Sequence, residues 1–534
     1  MSTAAAPPPP TVGTGLTPRQ LRLLMGGLMV GLFLSSTEQS VVATALPTMA
    51  GELGGANRIA WVVSAYLLTS TIVTPLYGKM SDLFGRRIVY QTAISVFLVG
   101  SVLCALSQTM TQLVASRAVQ GLGGGGLMSL AFVIVGDVVS PRQRGRYIGV
   151  FTAIFTISAV TGPIWGGLLV DGAGWRWVFW AVLPIGVIAL VVTNIGLRLP
   201  FATRTPIIDW LGIALLVVAS TGLILVPVWG GDTYPWRSLP VIVAGAIGVV
   251  GTALFVLQER RAAEPIIPPR LFRDRNVALV FTMGFLLMAS LMAVSTFLPF
   301  FLQVATGASA TRSGLLLAPQ SIGISIVAFA GGAIIAKTGR YKWALVLGPT
   351  LAIAGMLLLT GLSPDTGGPD LAPVLLLYGF GLGLIFPNLT LTVQNASAMT
   401  DLGIATSASN FFRSMGGAFG AAASGAVMAS RLQSELSSRL GAERLAEVGG
   451  ADGLIRTPRV VKDFPPDLRE PVVAAVSDAV VGIIWRALPV MALVLVLALF
   501  TRPAPLRTSS AIGGEDAVSR KDCLTEGLPD GPAV

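Results

Sequence analysis

The chain has 534 residues, of which 53% are hydrophobic and only 12% charged, with a mean hydropathy of +0.77 and a formal net charge of +10. A water-soluble globule of this size cannot carry so apolar a composition, so the chain is read as a polytopic all-α membrane protein. The basic excess does not indicate nucleic acid, because the Lys and Arg residues gather in short loops on one side of the predicted membrane. There is no histidine, so a proton-coupled step near neutral pH has to use a carboxyl group. The two cysteines, Cys104 and Cys523, fall at different predicted depths and are not expected to pair.

The Pro- and Ala-rich start lacks the charged region and cleavage site of a signal peptide, and residues 1–20 are expected to be a disordered cytoplasmic tail. About 20 apolar residues cross the hydrocarbon core. Runs of that length between polar breaks predict fourteen spans: 21–46, 59–77, 88–107, 111–136, 147–170, 177–197, 209–229, 238–258, 276–303, 313–336, 342–362, 372–393, 405–430 and 481–501. An even count places both ends on one side, and the basic loops assign that side to the cytoplasm. Segment 431–480 is the one sizeable outer element. Its Leu432, Leu436, Leu440 and Leu445 recur at near-helical spacing, which suits an amphipathic helix on the outer surface, a solvated connector or a dock for an outer-side protein partner. The tail 502–534 is expected to be disordered.

Between the second and third spans lies Gly78-Lys79-Met80-Ser81-Asp82-Leu83-Phe84-Gly85-Arg86-Arg87, a charged hairpin with glycines suited to a tight turn. Its frame recurs as Gly332, Gly339 and Arg340, again with glycines seven apart, while Ala336 stands where Asp82 would. The repeat is offset by eight helices. It therefore predicts two six-helix halves, 21–200 and 276–501, separated by an inserted pair, 209–258. Asp209 opens that pair, where an acidic side chain suits a helix N-terminus.

An ionisable residue within a membrane helix is expensive and functional by default. Glu38, in the middle of the first span, is the leading proton carrier. Arg117 and Gln120 lie one turn apart on the fourth, and a guanidinium can bias a carboxylate without itself releasing a proton. Arg413, on the thirteenth span, is a second intramembrane candidate or a charge partner for Glu38 across the bundle. Gln39, Gln120, Gln394 and Asn395 are candidates for the substrate cavity. The fifth span holds Gly162-Pro163-Ile164-Trp165-Gly166-Gly167, where proline kinks a helix and glycines admit a close neighbour. Trp175 to Trp180 suit an interfacial aromatic anchor.

The hairpin resembles the signature G-x-x-x-D-x-x-G-R-R/K of the major facilitator superfamily. The fifth-span motif resembles G-P-x-x-G-G of its fourteen-span drug:proton antiporter branch, and Arg117 resembles that branch's R-x-x-Q-G arginine. Glu38 stands where the branch usually has Asp, and Val182 where it has Asn. The resemblance implies a major facilitator fold and export of lipophilic or amphiphilic small molecules in exchange for protons, with Glu38, Arg117 and Arg413 in proton coupling. It also implies a conformational latch in which Asp82, within Gly78, Gly85, Arg86 and Arg87, pairs with Arg144 or Arg146 of the next cytoplasmic loop. Gly162, Pro163, Gly166 and Gly167 would form the antiporter motif.

The expected partners are a small lipophilic substrate, protons and membrane lipids, in the cytoplasmic membrane; no cofactor, metal or catalytic residue is expected. A membrane-embedded enzyme would need a converging nucleophile and base or a ligand set, which the sequence does not supply. A dedicated lipid or secondary-metabolite exporter is the nearest rival, and a non-transporting sensor a more distant one. With no second membrane carboxylate evident in the second half, monocationic, neutral or amphiphilic substrates are expected rather than dications.

Overall fold

A computed structural model describes residues 18–54, 58–197, 207–230, 234–307, 310–363, 368–447, 450, 451, 454 and 458–506. The terminal segments 1–17 and 507–534, expected to be disordered, lie outside the described residues, as do parts of 431–480.

Each of the fourteen predicted spans falls on a helix, as uninterrupted apolar sequence with internally satisfied backbone groups requires in hydrocarbon. The first half comprises α1 (Pro18–Leu53), α2 (Ile59–Phe84), α3 (Arg86–Leu106), α4 (Met110–Val138), α5 (Pro141–Ala173) and a span broken at Ala181 into α6 (Arg176–Trp180) and α7 (Val182–Gly196). The pair α8 (Trp210–Trp229) and α9 (Leu239–Glu259) follows. The second half comprises α10 (Arg275–Thr306), α11 (Ala310–Leu316) with α12 (Ala318–Thr338), α13 (Lys342–Leu359), α14 (Gly368–Ala396), α15 (Leu402–Glu447) and α16 (Pro466–Phe500). One buried apolar cluster fills the first half around Tyr90, Phe97 and Phe151, with a smaller one around Trp175. Another fills the second half and reaches the inserted pair through Leu216, Ile224 and Phe255.

Eleven helices among the described residues are long and apolar enough to cross a membrane. The three other long ones, α2, α5 and α15, all pack across the boundary between the halves: α2 packs on α15 and α5 on α12. They carry Ser, Thr, Gly and charged residues that lower their hydropathy, beside exposed apolar side chains such as Leu67 of α2 and Leu168 of α5.

The repeated hairpins use glycine for the same reason. Gly85, between α2 and α3, has φ +88° and Gly339, closing α12, has φ +69°, backbone conformations that a Cβ disfavours. Asp209 caps α8 by accepting from the Gly212 amide at 2.8 Å, and Gln258 of α9 donates to it at 3.0 Å. Gly222 and Gly248 let α8 and α9 meet backbone to backbone.

Instead of a separate surface helix or a connector, residues 431–440 continue α15 without a break, and Leu432, Leu436 and Leu440 are buried in the second-half core. The chain turns at Gly441, with φ +73°. α16 then starts fifteen residues before its predicted span, at Pro466 instead of 481. The paired ends are tied by Arg439 to Asp478, and by Arg444 to Asp467 at 3.6 Å. The leucine stripe is spent on this hairpin's own packing, which is why it read as amphipathic.

Candidate functional site

Glu38 and Arg117 are each 1% exposed and form an ion pair between α1 and α4. The fourth helix can come this close because its glycines replace side chains. A Cβ at Gly121, Gly123 or Gly125 would strike the backbones of α2 or α3. The guanidinium is held on every side. It donates to Gln120 Oε1 at 2.6 Å and through Nε to Val62 O at 3.1 Å, and it lies 4.4 Å from the centre of the Tyr66 ring. Gln120 is fixed in turn by donating to Ser101 Oγ at 2.7 Å, and Ser35 and Tyr66 share a hydrogen bond of 3.2 Å. The second carboxylate oxygen, Glu38 Oε2, is buried with no hydrogen-bond partner among the described residues. Sequence reasoning found Glu38, Arg117 and Gln120, but Tyr66 and Ser101 emerge only from the packing of α2 and α3 against α4.

Between the halves lies a cavity of about 520 Å³. α1, α4 and α5 supply one wall, including Gln39, Met128, Phe132 and Thr156; α10, α12, α14 and α15 supply the other, including Met292, Gln320, Phe386 and Arg413. Methionine and phenylalanine give it an adaptable apolar surface, with amides and hydroxyls as polar handles. Of the residues expected here, Gln39 lines the cavity. Gln120 belongs to the Arg117 cluster. Gln394 instead donates to Phe132 O at 3.0 Å, tying α14 to α4, and Asn395 donates to Pro505 O at 3.3 Å. Arg413 reaches the cavity but does not pair with Glu38, whose arginine is Arg117; its guanidinium sits 5.8 Å from the Phe386 ring centre, with no carboxylate in ion-pair range among the described residues. The helix periodicity decides this: Gln39 and Ser40 turn to the cavity, while Glu38 turns to α4.

A larger apolar space, about 730 Å³, lies between the inserted pair and α10 and α15, and is lined by Phe255, Phe272, Phe281 and Phe412 among others. No sequence feature pointed to it, because its walls come from four separate helices and the connector before α10.

At the hairpin end of the bundle, Arg86 bridges Asp82 and Asp137, the latter at 2.6 Å, and donates to Ser81 Oγ. The expected partner of Asp82 was Arg144 or Arg146. Arg144 instead donates to the carbonyls of Val139, at 2.8 Å, and Gly136, where the end of α4 leaves acceptors unsatisfied, and Arg146 is exposed. Arg87 donates to Asn194 Oδ1 on α7. Burial pushes the Asp82 carboxyl up to about 6, with Arg86 acting in the opposite direction. A Cβ at Gly78 would strike Ser407 of α15, and one at Gly403 would strike Asp82, so this charge cluster is pressed directly against the second half. Ser129 and Ser407 are hydrogen-bonded at 2.6 Å, and Gly145 meets Gly332 with no side chain between them. Arg270, more than half exposed, forms a forked pair with Asp401 at 2.7 and 2.9 Å, which raises its already high pKa.

In the fifth-helix motif, Gly162 lies against Ser40 and Gly166 against Thr44 and Val41, forming the α1–α5 seam. Gly167 has open space beside it, and Pro163 lies within α5.

Among the described residues, no group of three or more His, Cys, Asp or Glu side chains is arranged to hold a metal ion.

The sequence profile of the Major Facilitator Superfamily matches residues 28–209 and 208–421. An uncharacterized MFS-type transporter of Mycobacterium tuberculosis is 38% identical over 92% of this chain and 71% of its own length. Multidrug transporter protein MdtP of Bacillus subtilis is 34% identical over 92% of this chain and 94% of its own. The crystal structure of the human organic anion transporter MFSD10 (TETRAN) has the same fold, with a TM-score of 0.58 at 18% identity, covering 89% of this chain and all of that one. With two six-helix halves around a shared cavity, and a family profile that matches from residue 28 to residue 421, the chain belongs to the major facilitator superfamily.

Proposed function

We propose that the protein is a proton-coupled antiporter that exports lipophilic or amphiphilic small molecules, such as drugs, dyes or antibiotics, by alternating access. The observation that carries this reading is the buried Glu38–Arg117 pair set beside a cavity shared by two halves. Arg117 compensates the carboxylate while it is ionised, and the oxygen left over can take a proton; the guanidinium then keeps Gln120, the Val62 carbonyl and the Tyr66 ring as partners for its charge. The relative named a multidrug transporter supports the substrate class, and the Met- and Phe-rich wall suits it.

In this scheme the protein sits in the cytoplasmic membrane with both ends inside. Substrate enters the cavity from the cytoplasm or inner leaflet and displaces the proton from Glu38; the halves rock, and an outer proton returns to the carboxylate as substrate leaves. Contacts between the halves at the hairpin end, Gly78 with Ser407 and Gly145 with Gly332, then correspond to a stage closed toward the cytoplasm.

The test is dye transport driven by an imposed pH gradient in vesicles containing the wild type or Glu38→Gln. The expected result is loss of gradient-driven transport with dye binding retained. A Glu38→Gln protein that still builds a pH-dependent gradient of dye would sink the proposal.

A further inference from the structure

The wall of the central cavity carries hydroxyls and amides from both halves, among them Ser36, Gln39, Thr156, Gln320 and Thr390. Among the described residues that line it, Arg413 is the single charged side chain, and none is Asp or Glu. The Glu38–Arg117 pair is closed off behind α1 and contributes nothing to this wall. An occupant of the cavity therefore meets one cation and no anion.

The packing of α15 places Arg413 there. Gly416 and Gly420 bring α15 onto the backbone of α10 at Phe285 and Ala289, and Gly284 of α10 lies opposite the base of the Arg413 side chain. Arg413 lies eleven residues along α15 from Leu402, a rise of about 16 Å. That is near the middle of a hydrocarbon core about 30 Å thick. A guanidinium at such a depth is costly unless it is compensated. Arg117 has a carboxylate and two further oxygens for this purpose. Arg413 has only the Phe386 ring, 5.8 Å away and at the outer limit of cation–π attraction, with no ion pair or hydrogen bond among the described residues. It is half-buried, and its unpartnered nitrogens keep accessible surface, unlike those of a packed side chain. They are open to the cavity that the residue lines.

We infer that Arg413 receives an anionic group of the substrate, a carboxylate or sulfonate, so that the cavity selects lipophilic acids. The guanidinium fork matches the paired oxygens of such a group, and Phe155, Met288, Met292 and Phe386 hold the apolar body. The volume of about 520 Å³ suits a drug-sized molecule, for which sites span roughly 300 to 1,000 Å³. The monocations expected from the sequence find no carboxylate on this wall and are repelled by Arg413. The inference rests on the reading of this cavity as the substrate site of an exporter, and it adds the substrate's charge.

The test is equilibrium binding of a matched series to the full-length protein in phosphatidylcholine nanodiscs at neutral pH, with binding to empty nanodiscs subtracted. The series is dansylglycine, its uncharged methyl ester, and dansylethylenediamine, a cation. The acid is expected to bind about tenfold more tightly than the ester, the scale of one hydrogen bond to a charged group, and the amine more weakly than the ester. Arg413→Gln should abolish the preference for the acid while the ester keeps its affinity, and Arg413→Lys, which restores the charge, should recover part of it. An ester or amine that binds as tightly as the acid, an acid without measurable binding, a preference that survives Arg413→Gln, or equal loss of acid and ester in that variant would each overturn the inference. The wild-type series decides even where Arg413→Gln does not fold. No pH gradient is imposed, so failure here leaves coupling through Glu38 untouched. Conversely, proton-driven transport that survives Glu38→Gln would remove the coupling reading and leave the charge preference standing.

Discussion

Arg117 meets its surroundings through an ion pair, two further hydrogen bonds and an aromatic face, and all of these are closed to solvent. Removing one partner of such a pair strands the other charge, at about 3 to 5 kcal/mol. Arg117→Ala is expected to lower stability by that order in thermal unfolding of the purified protein, and adding Glu38→Gln should restore part of it. Additive losses in this double-mutant cycle would mean that the pair is not energetically coupled. Asp82 presents the opposite case, a carboxyl whose burial outweighs its arginine. Its pKa is raised in the fold, so its contribution to stability is complete below the ordinary carboxylate range and is lost as pH rises through about 6. Unfolding midpoints measured between pH 4 and 7 should therefore fall with rising pH more steeply in the wild type than in Asp82→Asn; parallel curves would contradict this.

Among the elements, the α1–α5 seam shows how one motif serves two environments. A Cβ at Gly166 would run into Thr44 and Val41, whereas one at Gly167 meets nothing within 4 Å. Gly166→Val is therefore expected to destabilise the protein by about 1 to 3 kcal/mol through overpacking. Gly167→Ala should be neutral or slightly stabilising, since alanine is the better helix former by up to about 1 kcal/mol. Comparison of the two thermal unfolding midpoints checks the pair. Equal effects would show that α1 and α5 do not depend on this close approach. The same logic runs along α4, where glycine after glycine brings the Arg117 helix against α2 and α3. Close packing and the placement of the buried charge are here one property.

For the whole molecule, motion requires that the contacts between halves break and re-form. Thr156 of α5 and Ser325 of α12 share a hydrogen bond of 2.6 Å across that boundary, a separation at which paired cysteines can close a disulfide. Thr156→Cys with Ser325→Cys, in a background lacking Cys104 and Cys523, is expected to cross-link on oxidation and to arrest dye transport, with recovery on reduction. Full transport by the cross-linked protein would show that α5 and α12 do not separate during the cycle.

Hydropathy and the repeat of Gly78, Gly85 and Arg86 in Gly332, Gly339 and Arg340 determined the helix count, the two halves and the inserted pair. These follow from local requirements: an apolar run must be long enough to cross hydrocarbon, and a tight turn needs a residue that tolerates positive φ. Glu38 and Arg117 were legible singly for the same reason, since an ionisable residue in an apolar run stands out at once. Their pairing with each other, rather than Glu38 with Arg413, was not, because the partner depends on which face of α1 meets which helix. Nor was the pairing of Asp82 with Arg86 in place of Arg144, or the burial of Leu432 and Leu436 in a helical extension instead of at a membrane surface. The cavity wall of Met128, Phe132, Met292 and Phe386 carries no signal along the chain, since such residues are equally at home in any core or lipid-facing position. Composition and spacing determine what can enter the membrane and where the chain must turn. Which charges meet, and which apolar side chains enclose a space, is decided only when helices far apart in sequence pack together.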